Sequence, residues 1–577
     1  MKRTHMCGAL RLQHQSQSTT LFGWVHKIRD HGGLRFVELR DTTGRVQLVA
    51  AQNSPAFKLF STLKPEWCVG ITGPVLARAE HLVNTDLATG EIEVHCEKVH
   101  IFSKTPELPL SVSADLPSPE MTRLKHRYLD LRREEMQSRM RLRSKVIQQM
   151  RQSMWARGFD EFQTPILTSP SPEGARDYVV PSSKQPGKFY ALPQAPQLFK
   201  QMLMVGGFDK YFQIAPCFRD ETARSDRLPG EFYQLDLEMS FSSQEEVFTL
   251  MEGVLSDILS LHGEDIVTPF PRISHKDSLK WYASDKPDLR CPTKMQDVSD
   301  IFDKGPFGLF ASVLEKPGTE IRALPAPKAG RRKFCESWDK KAREAGLPGL
   351  AWILWDSEGV AKGPVAKALG EKTEELRRRM KLSKEDALFF FAGRPEDFQP
   401  AAAKIRVDMG EELCLSKKGF QFAWIVDFPI FEKTEAGYDF EHNPFSMPQG
   451  GHSAYKGPIE DIKGHQYDLA CNGYELLSGA VRCHDVELLL KGFATAGHTE
   501  EEVRTRFGGL VRALEHGAPP HAGCALGIER LIMLLAGTTS IRDVVAFPLS
   551  QSGDDVLSGG PLDLDTKTLK ELGLKTL

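Results

Sequence analysis

The sequence predicts an α+β protein of several domains, beginning with a small β-barrel of the oligonucleotide-binding (OB-fold) type. Three observations carry this. Before about residue 104, the runs "TTLFGWVHKI", "GGLRFVELRD", "GRVQLVAA", "WCVGITGPVLAR" and "GEIEVHCEKVHIF" alternate apolar and polar residues, with Gly or Asp between them. That is the period-two signature of half-buried strands, and about five of them suit a small barrel. Further along, "YFQIAPCFR" and "EFYQLDLEMSF" flank the charged stretch "DETARSDRLPG" in the manner of an antiparallel hairpin. From about 281 to 415 the composition shifts to Lys, Arg, Glu and Ala, which marks a separate α/β insert.

The rest of the chain follows from local composition. A length of 577 residues calls for about three or four domains. The proline-rich "KTPELPLSVSADLPSPE" reads as an extended linker. "LKHRYLDLRREEMQSRMRLRSKVIQQMRQSMWARGF" carries a long, basic, amphipathic helical pattern, and Pro165 closes the strand-like "DEFQTPIL" after it. Beyond the insert, "QFAWIVDFPIF" resumes strands, and "GCALGIERLIMLLAG" reads as a helix apolar nearly all round and therefore buried. A polar tail follows "RDVVAFP".

Bulk properties narrow the function. With 41% apolar and 26% charged residues the composition is that of an ordinary globular protein. A net charge of −3 excludes nucleic-acid binding through overall charge, so such a partner must meet a local patch. The ten cysteines contain no CxxC, which argues against a thiolate zinc site and fits a reducing, cytoplasmic setting. The start lacks an apolar signal region, and no apolar run approaches the roughly 18 residues a membrane span needs.

Three stretches hold charges in places that need explaining. Arg219, at the base of the charged hairpin tip, is suited to clamp a phosphate or carboxylate with two hydrogen bonds, and Phe232 across from it is suited to stack on a base. A solvated loop is the plain alternative. On the second strand, Gln234, Asp236 and Glu238 share one face and Tyr233, Leu235, Leu237 and Met239 the other. Arg530 interrupts an apolar helical pattern, where it points into a phosphate pocket, snorkels to the helix end or pairs with a buried acid. Asp468 and Glu475 stand in the small and apolar "YDLACNGYELLSGAVR", as magnesium ligands or as ion-pair partners, and Arg482 follows at strand-like spacing.

Together these stretches resemble the bacterial-type aspartyl-tRNA synthetases, within the class II aminoacyl-tRNA synthetases. "GFDEFQTPIL" with Pro165 looks like motif 1, the dimer element, "FRDETARSDRLPGEFYQLDLE" like motif 2, and "GCALGIERLIMLL" like motif 3. "EGARDYVVPS", "FYALPQAPQLFKQ" and "NGYELLSGAVR" look specific to aspartate enzymes. The resemblance implies an anticodon-binding OB-fold over 1–104, a hinge over 105–135, an antiparallel six-stranded catalytic sheet with helices over 136–280 and 416–548, a GAD-type insertion domain over 281–415 and an extension over 549–577. It implies a homodimer that activates L-aspartate with ATP and Mg2+ and transfers it to the 3′ end of tRNA-Asp, with no membrane or DNA partner.

By the same resemblance, Arg219 contacts both aspartate and the α-phosphate. Asp220, Glu221, Phe232, Glu475, Gly527, Ile528, Glu529 and Arg530 surround ATP, and Asp468 and Glu475 hold the metal. Lys200 and Arg482, supported by His442, pair with the side-chain carboxylate of aspartate, while Glu173, Gln197 and Asp236 accept its ammonium. Arg29, Phe36 and Gln47 read the anticodon, although Phe36 also suits a barrel core. His31 and Leu82 match the positions tied to tRNA choice, and they lean toward a non-discriminating enzyme that also charges tRNA-Asn, with strict tRNA-Asp specificity as the alternative. Ala195, Leu228 and Asn443 depart from the commonest pattern and put details of substrate contact in question. The insert and the Arg482/Lys200 pair argue against an asparagine or lysine enzyme, and the barrel against an amide-forming ligase.

Overall fold

A computed structural model describes residues 1–31, 34–112, 118–170, 175–435 and 437–576, with only the backbone of His31. Two compact units are distinguished: Met1–Ser144 with Thr222–Pro229 and Ala536–Leu564, and Lys145–Glu221 with Gly230–Leu535 and Asp565–Leu577.

In the first unit, β1 (Ser18–His31), β2 (Leu34–Asp41), β3 (Gly44–Ala51), β4 (Cys68–Ala77), β5 (Ile92–His95) and β6 (Lys98–Ser103) form one sheet. Its order is β1-β2-β3-β5-β4-β6, and β1 also pairs with β4, so five strands close into a ring. Alternate residues fill the interior, among them Val37 and Leu39, Val46 and Leu48, Val69 and Ile71. The run expected as a single fifth strand is two, because the chain changes partners at Cys96 and Glu97, whose amides donate to Val49 and Thr72. It crosses β4 so closely that a Cβ on Gly73 would stand 1.8 Å from the His95 carbonyl oxygen.

The long helical pattern also divides, into α1 (Glu120–Lys125), α2 (Arg127–Asp130) and α3 (Glu134–Ala156). The first break falls at His126 (φ −114°, ψ 40°), and a second spans residues 131–133. Next to His126 the buried Arg127 guanidinium donates to the carbonyls of Arg542, Val545 and Ala546 at 2.9, 2.7 and 2.9 Å and to Asp130 at 2.6 Å. Four acceptors for one buried cation outweigh the modest propensity that would continue the helix.

The second unit contains β7 (Asp160–Glu161), α4 (Gln197–Val205), β8 (Lys210–Arg219), β9 (Gly230–Ser240), α5 (Gln244–Ser260) and β10 (Arg272–Ser274). The 281–415 stretch folds as β11 (Gln296–Asp297), β12 (Glu320–Ala326), α6 (Arg332–Glu344), β13 (Ala351–Trp355), β14 (Ala361–Lys362), β15 (Ala387–Gly393) and α7 (Pro395–Glu412), with shorter helices between. Its antiparallel sheet runs β11-β12-β15-β13-β14. Phe389 and Phe391 enter one core and Leu388 and Phe390 the other, so the unbroken apolar run "ALFFFAG" is a strand buried on both faces.

The chain continues through β16 (Phe422–Val426), β17 (Gln466–Cys471), β18 (Tyr474–Val481), α8 (Val486–Thr495), α9 (Glu500–Leu514), β19 (His521–Gly527) and α10 (Ile528–Leu535). The large sheet runs β10-β16-β17-β18-β19-β9-β8-β7. Its six inner strands are antiparallel, and short parallel strands, β10 and β7, edge it. "GCALGIERLIMLL", expected as one helix, is therefore half strand. Gly523 makes that possible, since a Cβ there would meet the Leu237 carbonyl oxygen and Glu238 Oε2, each at 2.2 Å.

Candidate active site

The site grows from the alternation along β9. Both of its faces are buried, with Asp236 and Glu238 1% and 0% exposed. On the polar face stand Lys200, from α4, and Arg482, one residue beyond β18. Lys200 Nζ lies 2.6 Å from Asp236 Oδ1 and 3.3 Å from Glu238 Oε2. Arg482 Nε and Nη2 donate to the two oxygens of Glu238 at 2.9 and 3.2 Å. Burial pushes both carboxyls up. At Glu238 the Arg482 and Lys200 charges outweigh burial and hold the pKa below the usual value, whereas at Asp236 burial prevails over Lys200.

Two cations and two carboxylates cancel, yet the cluster is not satisfied. Asp236 Oδ2, Gln197 Nε2 and Arg219 Nε are buried with no hydrogen-bond partner among the described residues. Buried polar atoms are nearly always paired. Here three residues assigned from sequence to the amino-acid site each keep one atom in reserve. The Arg219 guanidinium lies over the Phe232 ring, 5.0 Å from its centroid, at the base of the β8–β9 hairpin. Asp220 is tied by its amide to the Arg176 carbonyl at 3.0 Å, and Glu221 is half-buried. The tip residues, including the buried Leu228, group with the first unit, where the Ser225 carbonyl accepts from Ile541.

The acid pair stands on the β17–β18 hairpin. Asp468 is opposite Ser478 and Ala470 opposite Glu475, which leaves Leu476 as an extra, bulged residue. Three residues apart on a regular strand, Glu475 and Ser478 would face opposite ways; the bulge turns both to the side of Asp468. Burial, and then the neighbouring Glu475, hold Asp468 well above the usual carboxylate range, against the Ser478 hydroxyl, which lowers it. Two carboxyls that repel in this way fit a divalent cation, which would relieve them. Among the described residues no three His, Cys, Asp or Glu side chains are grouped to hold a metal, so further donors would come from phosphate and water. Arg530 Nη1 donates to the Glu475 carbonyl at 2.8 Å. Glu529 is 2% exposed and accepts the Tyr233 amide at 3.0 Å, so its carboxylate turns toward β9, while Gly527 and Ile528 lie at the β19–α10 junction.

The other assigned residues come from further elements. His442, whose pKa burial lowers against the Glu475 charge that raises it, meets Phe428 edge-on at 5.0 Å and lines a cavity of about 380 Å³ with Asn443, His498 and Arg506. Glu173 lies outside the described residues, and Ala195 is half-buried just before α4. On the barrel, Arg29 Nη2 donates to Glu38 at 3.0 Å and Gln47 at 3.3 Å, and Phe36, opposite Arg29, is half-buried and outside the barrel core. His31 ends β1 opposite Leu34, and its side chain is not described; Leu82 is 60% exposed. Pro165 is exposed next to Ile166 and Leu167. Sequence reasoning gave no role to two buried residues. Glu238 was signalled only by sharing a strand face with Asp236, and His521, whose ring bonds Pro519 and Gln201, gave no signal.

A class follows from this fold and site. Residues 119–551 match the family of class II tRNA synthetases (D, K and N), and 19–102 match the OB-fold nucleic-acid-binding domain. The chain belongs to the class II tRNA synthetases, and is therefore an ATP-using aminoacyl-tRNA ligase. It is 52% identical to the "Aspartate--tRNA(Asp/Asn) ligase" of Ruegeria sp. (strain TM1040), over 100% of this chain and 99% of that protein. Among solved structures, a putative aspartyl-tRNA synthetase from Leishmania major Friedlin shares the fold at a TM-score of 0.61 and 20% identity, over 95% of this chain and 93% of the other. An asparaginyl-tRNA synthetase from Pyrococcus horikoshii, complexed with asparaginyl-adenylate, does so at 0.59 and 19%, over 95% and 98%.

Proposed function

We propose that the protein is an aspartate–tRNA ligase that charges both tRNA-Asp and tRNA-Asn. What carries the aspartate reading is the Lys200–Asp236–Glu238–Arg482 cluster with the unpartnered atoms of Asp236, Gln197 and Arg219. The side-chain carboxylate of aspartate lies against Lys200 and Arg482, with His442 in support, and its ammonium takes Asp236 Oδ2 and Glu173. Arg219 holds the α-carboxylate where it attacks the α-phosphorus of ATP. One carboxylate oxygen forms the new P–O bond, pyrophosphate leaves, and the terminal ribose hydroxyl of tRNA later displaces AMP from the acyl carbon. No side chain acts as nucleophile; alignment and neutralised charge lower the barrier.

Phe232 and Glu221 hold the adenosine, Arg530 the far phosphates, and Asp468 and Glu475 the Mg2+. Bound there, the ion would draw charge from the phosphates. Asparagine would present a neutral amide to Lys200 and Arg482 in place of a carboxylate and lose charge-assisted hydrogen bonds worth about 1.5–3 kcal/mol.

The Asp/Asn breadth is supported by the name of the relative and by His31 and Leu82. Arg29, Phe36 and Gln47 meet anticodon bases on the barrel. The domains run as the resemblance implies: barrel 1–104, hinge 105–135, catalytic parts 136–280 and 416–548, insert 281–415 and extension 549–577. Exposed Ile166 and Leu167 at Pro165, with Trp155 and Phe208, offer a homodimer contact. No helix among the described residues is long and apolar enough to cross a membrane. The cytoplasmic setting is supported by ten cysteines without a CxxC. Charging assays decide the breadth: tRNA-Asp and tRNA-Asn both accept aspartate, whereas a tRNA-Asn left uncharged at high enzyme restricts the protein to tRNA-Asp.

A further inference from the structure

The hairpin that presents Asp468 and Glu475 turns at Asn472 and Gly473, and the stem of the insert holds both. Asn472 is 8% exposed, at a positive φ of 49°. Its Oδ1 accepts the Gln421 amide at 3.0 Å, its Nδ2 donates to the Gly419 carbonyl at 3.1 Å, and its own amide reaches the Gln421 carbonyl at 3.4 Å. Gly419 to Gln421 is where the chain leaves the insert and enters β16. The entering chain is also close, because a Cβ on Gly473 would stand 3.6 Å from that of Asp288.

Asp288 pairs with Arg290 through Nε at 3.0 Å and Nη2 at 2.6 Å, and the Arg290 carbonyl accepts the Lys417 amide at 2.9 Å. From α7, the buried Arg406 donates to the carbonyls of Asp288 and Cys291 at 2.7 and 2.8 Å. Entrance, exit and last helix of the insert thus form one hydrogen-bonded stem. A two-residue Asn-Gly turn closes a hairpin without outside help, and the Asn472 amide only extends the β16–β17 pairing, so the two side-chain bonds to this stem exceed what the turn requires. The bulge at Leu476 leaves β18 locally unpaired, and Glu475 is steadied from both sides, by Arg530 on its carbonyl and by the Asn472 turn.

We infer that Asn472 is a positioning residue through which the stem of the insert fixes Glu475 for the metal ion of the nucleotide. The inference rests on the reading of Asp468 and Glu475 as the metal site. Asn472→Gly tests it in the full-length protein, since glycine keeps the positive φ and removes only the side chain. The probe is Mn2+, of similar oxygen-ligand preference, titrated with ATP and followed by electron paramagnetic resonance.

Mn2+ affinity should weaken about tenfold, as expected for lost neutral hydrogen bonds, with the KM for aspartate within about twofold and melting little changed. Arg290→Gln, at a side chain 33% exposed, should weaken Mn2+ in the same direction. Unchanged Mn2+ affinity in either variant, or an equal loss of aspartate affinity, overturns the inference. Glu475→Gln separates the two levels: if it leaves Mn2+ binding intact, the metal reading fails, and if it abolishes binding while Asn472→Gly does not, only the role of Asn472 fails.

Discussion

Asp236 divides its two oxygens between structure and substrate. Oδ1 is 2.6 Å from Lys200, and Oδ2 is buried with no hydrogen-bond partner among the described residues. Asp236→Asn is isosteric and keeps one oxygen for Lys200, yet presents an amide where the substrate ammonium should sit. The KM for aspartate in ATP–pyrophosphate exchange should rise roughly ten- to hundredfold, the worth of a charged hydrogen bond, with the KM for ATP little changed; an unaltered aspartate KM would remove Asp236 from the site. At this scale the sequence was informative wherever a charge stood among apolar neighbours, as Arg482 and Asp468 do, because such a charge demands an explanation. Glu238 was harder to see. Its partners, Lys200 and Arg482, come from elements brought to β9 only by the tertiary fold.

Among the elements, β9 and the strand beside it show why periodicity alone was insufficient. "GCALGIERLIMLL" is apolar enough for a helix, and what makes its first half a strand is the close approach of β9 at Gly523. Overpacking of this kind costs about 1–3 kcal/mol, so Gly523→Ala should lower the melting temperature by several degrees and, by pushing on Glu238, also weaken aspartate binding. A variant that melts like the parent would show that the strands separate freely there. The first four barrel strands, by contrast, were legible one by one, since each alternates and ends at a turn, whereas the fifth run hid a change of partner at Cys96 and Glu97. The Leu476 bulge was not legible, because a bulge exists only in the pairing of two strands. Nor was the break at His126, which answers to carbonyls more than 400 residues further along.

Across the whole molecule, barrel, hairpin and insert were readable in order, because each changes composition or period where it begins. Chain order could not show that Lys200, Asp236, Glu238 and Arg482 meet where we propose the amino-acid pocket, since only the sheet pairing and α4 bring their elements together. That pocket is best tested by a crystal structure of the protein with a non-hydrolysable aspartyl-adenylate analogue. The aspartyl carboxylate should lie within hydrogen-bond reach of Lys200 and Arg482, and Asp236 Oδ2, Gln197 Nε2 and Arg219 Nε should each gain a partner. An analogue bound elsewhere, with those three atoms still unpaired, would contradict the assignment.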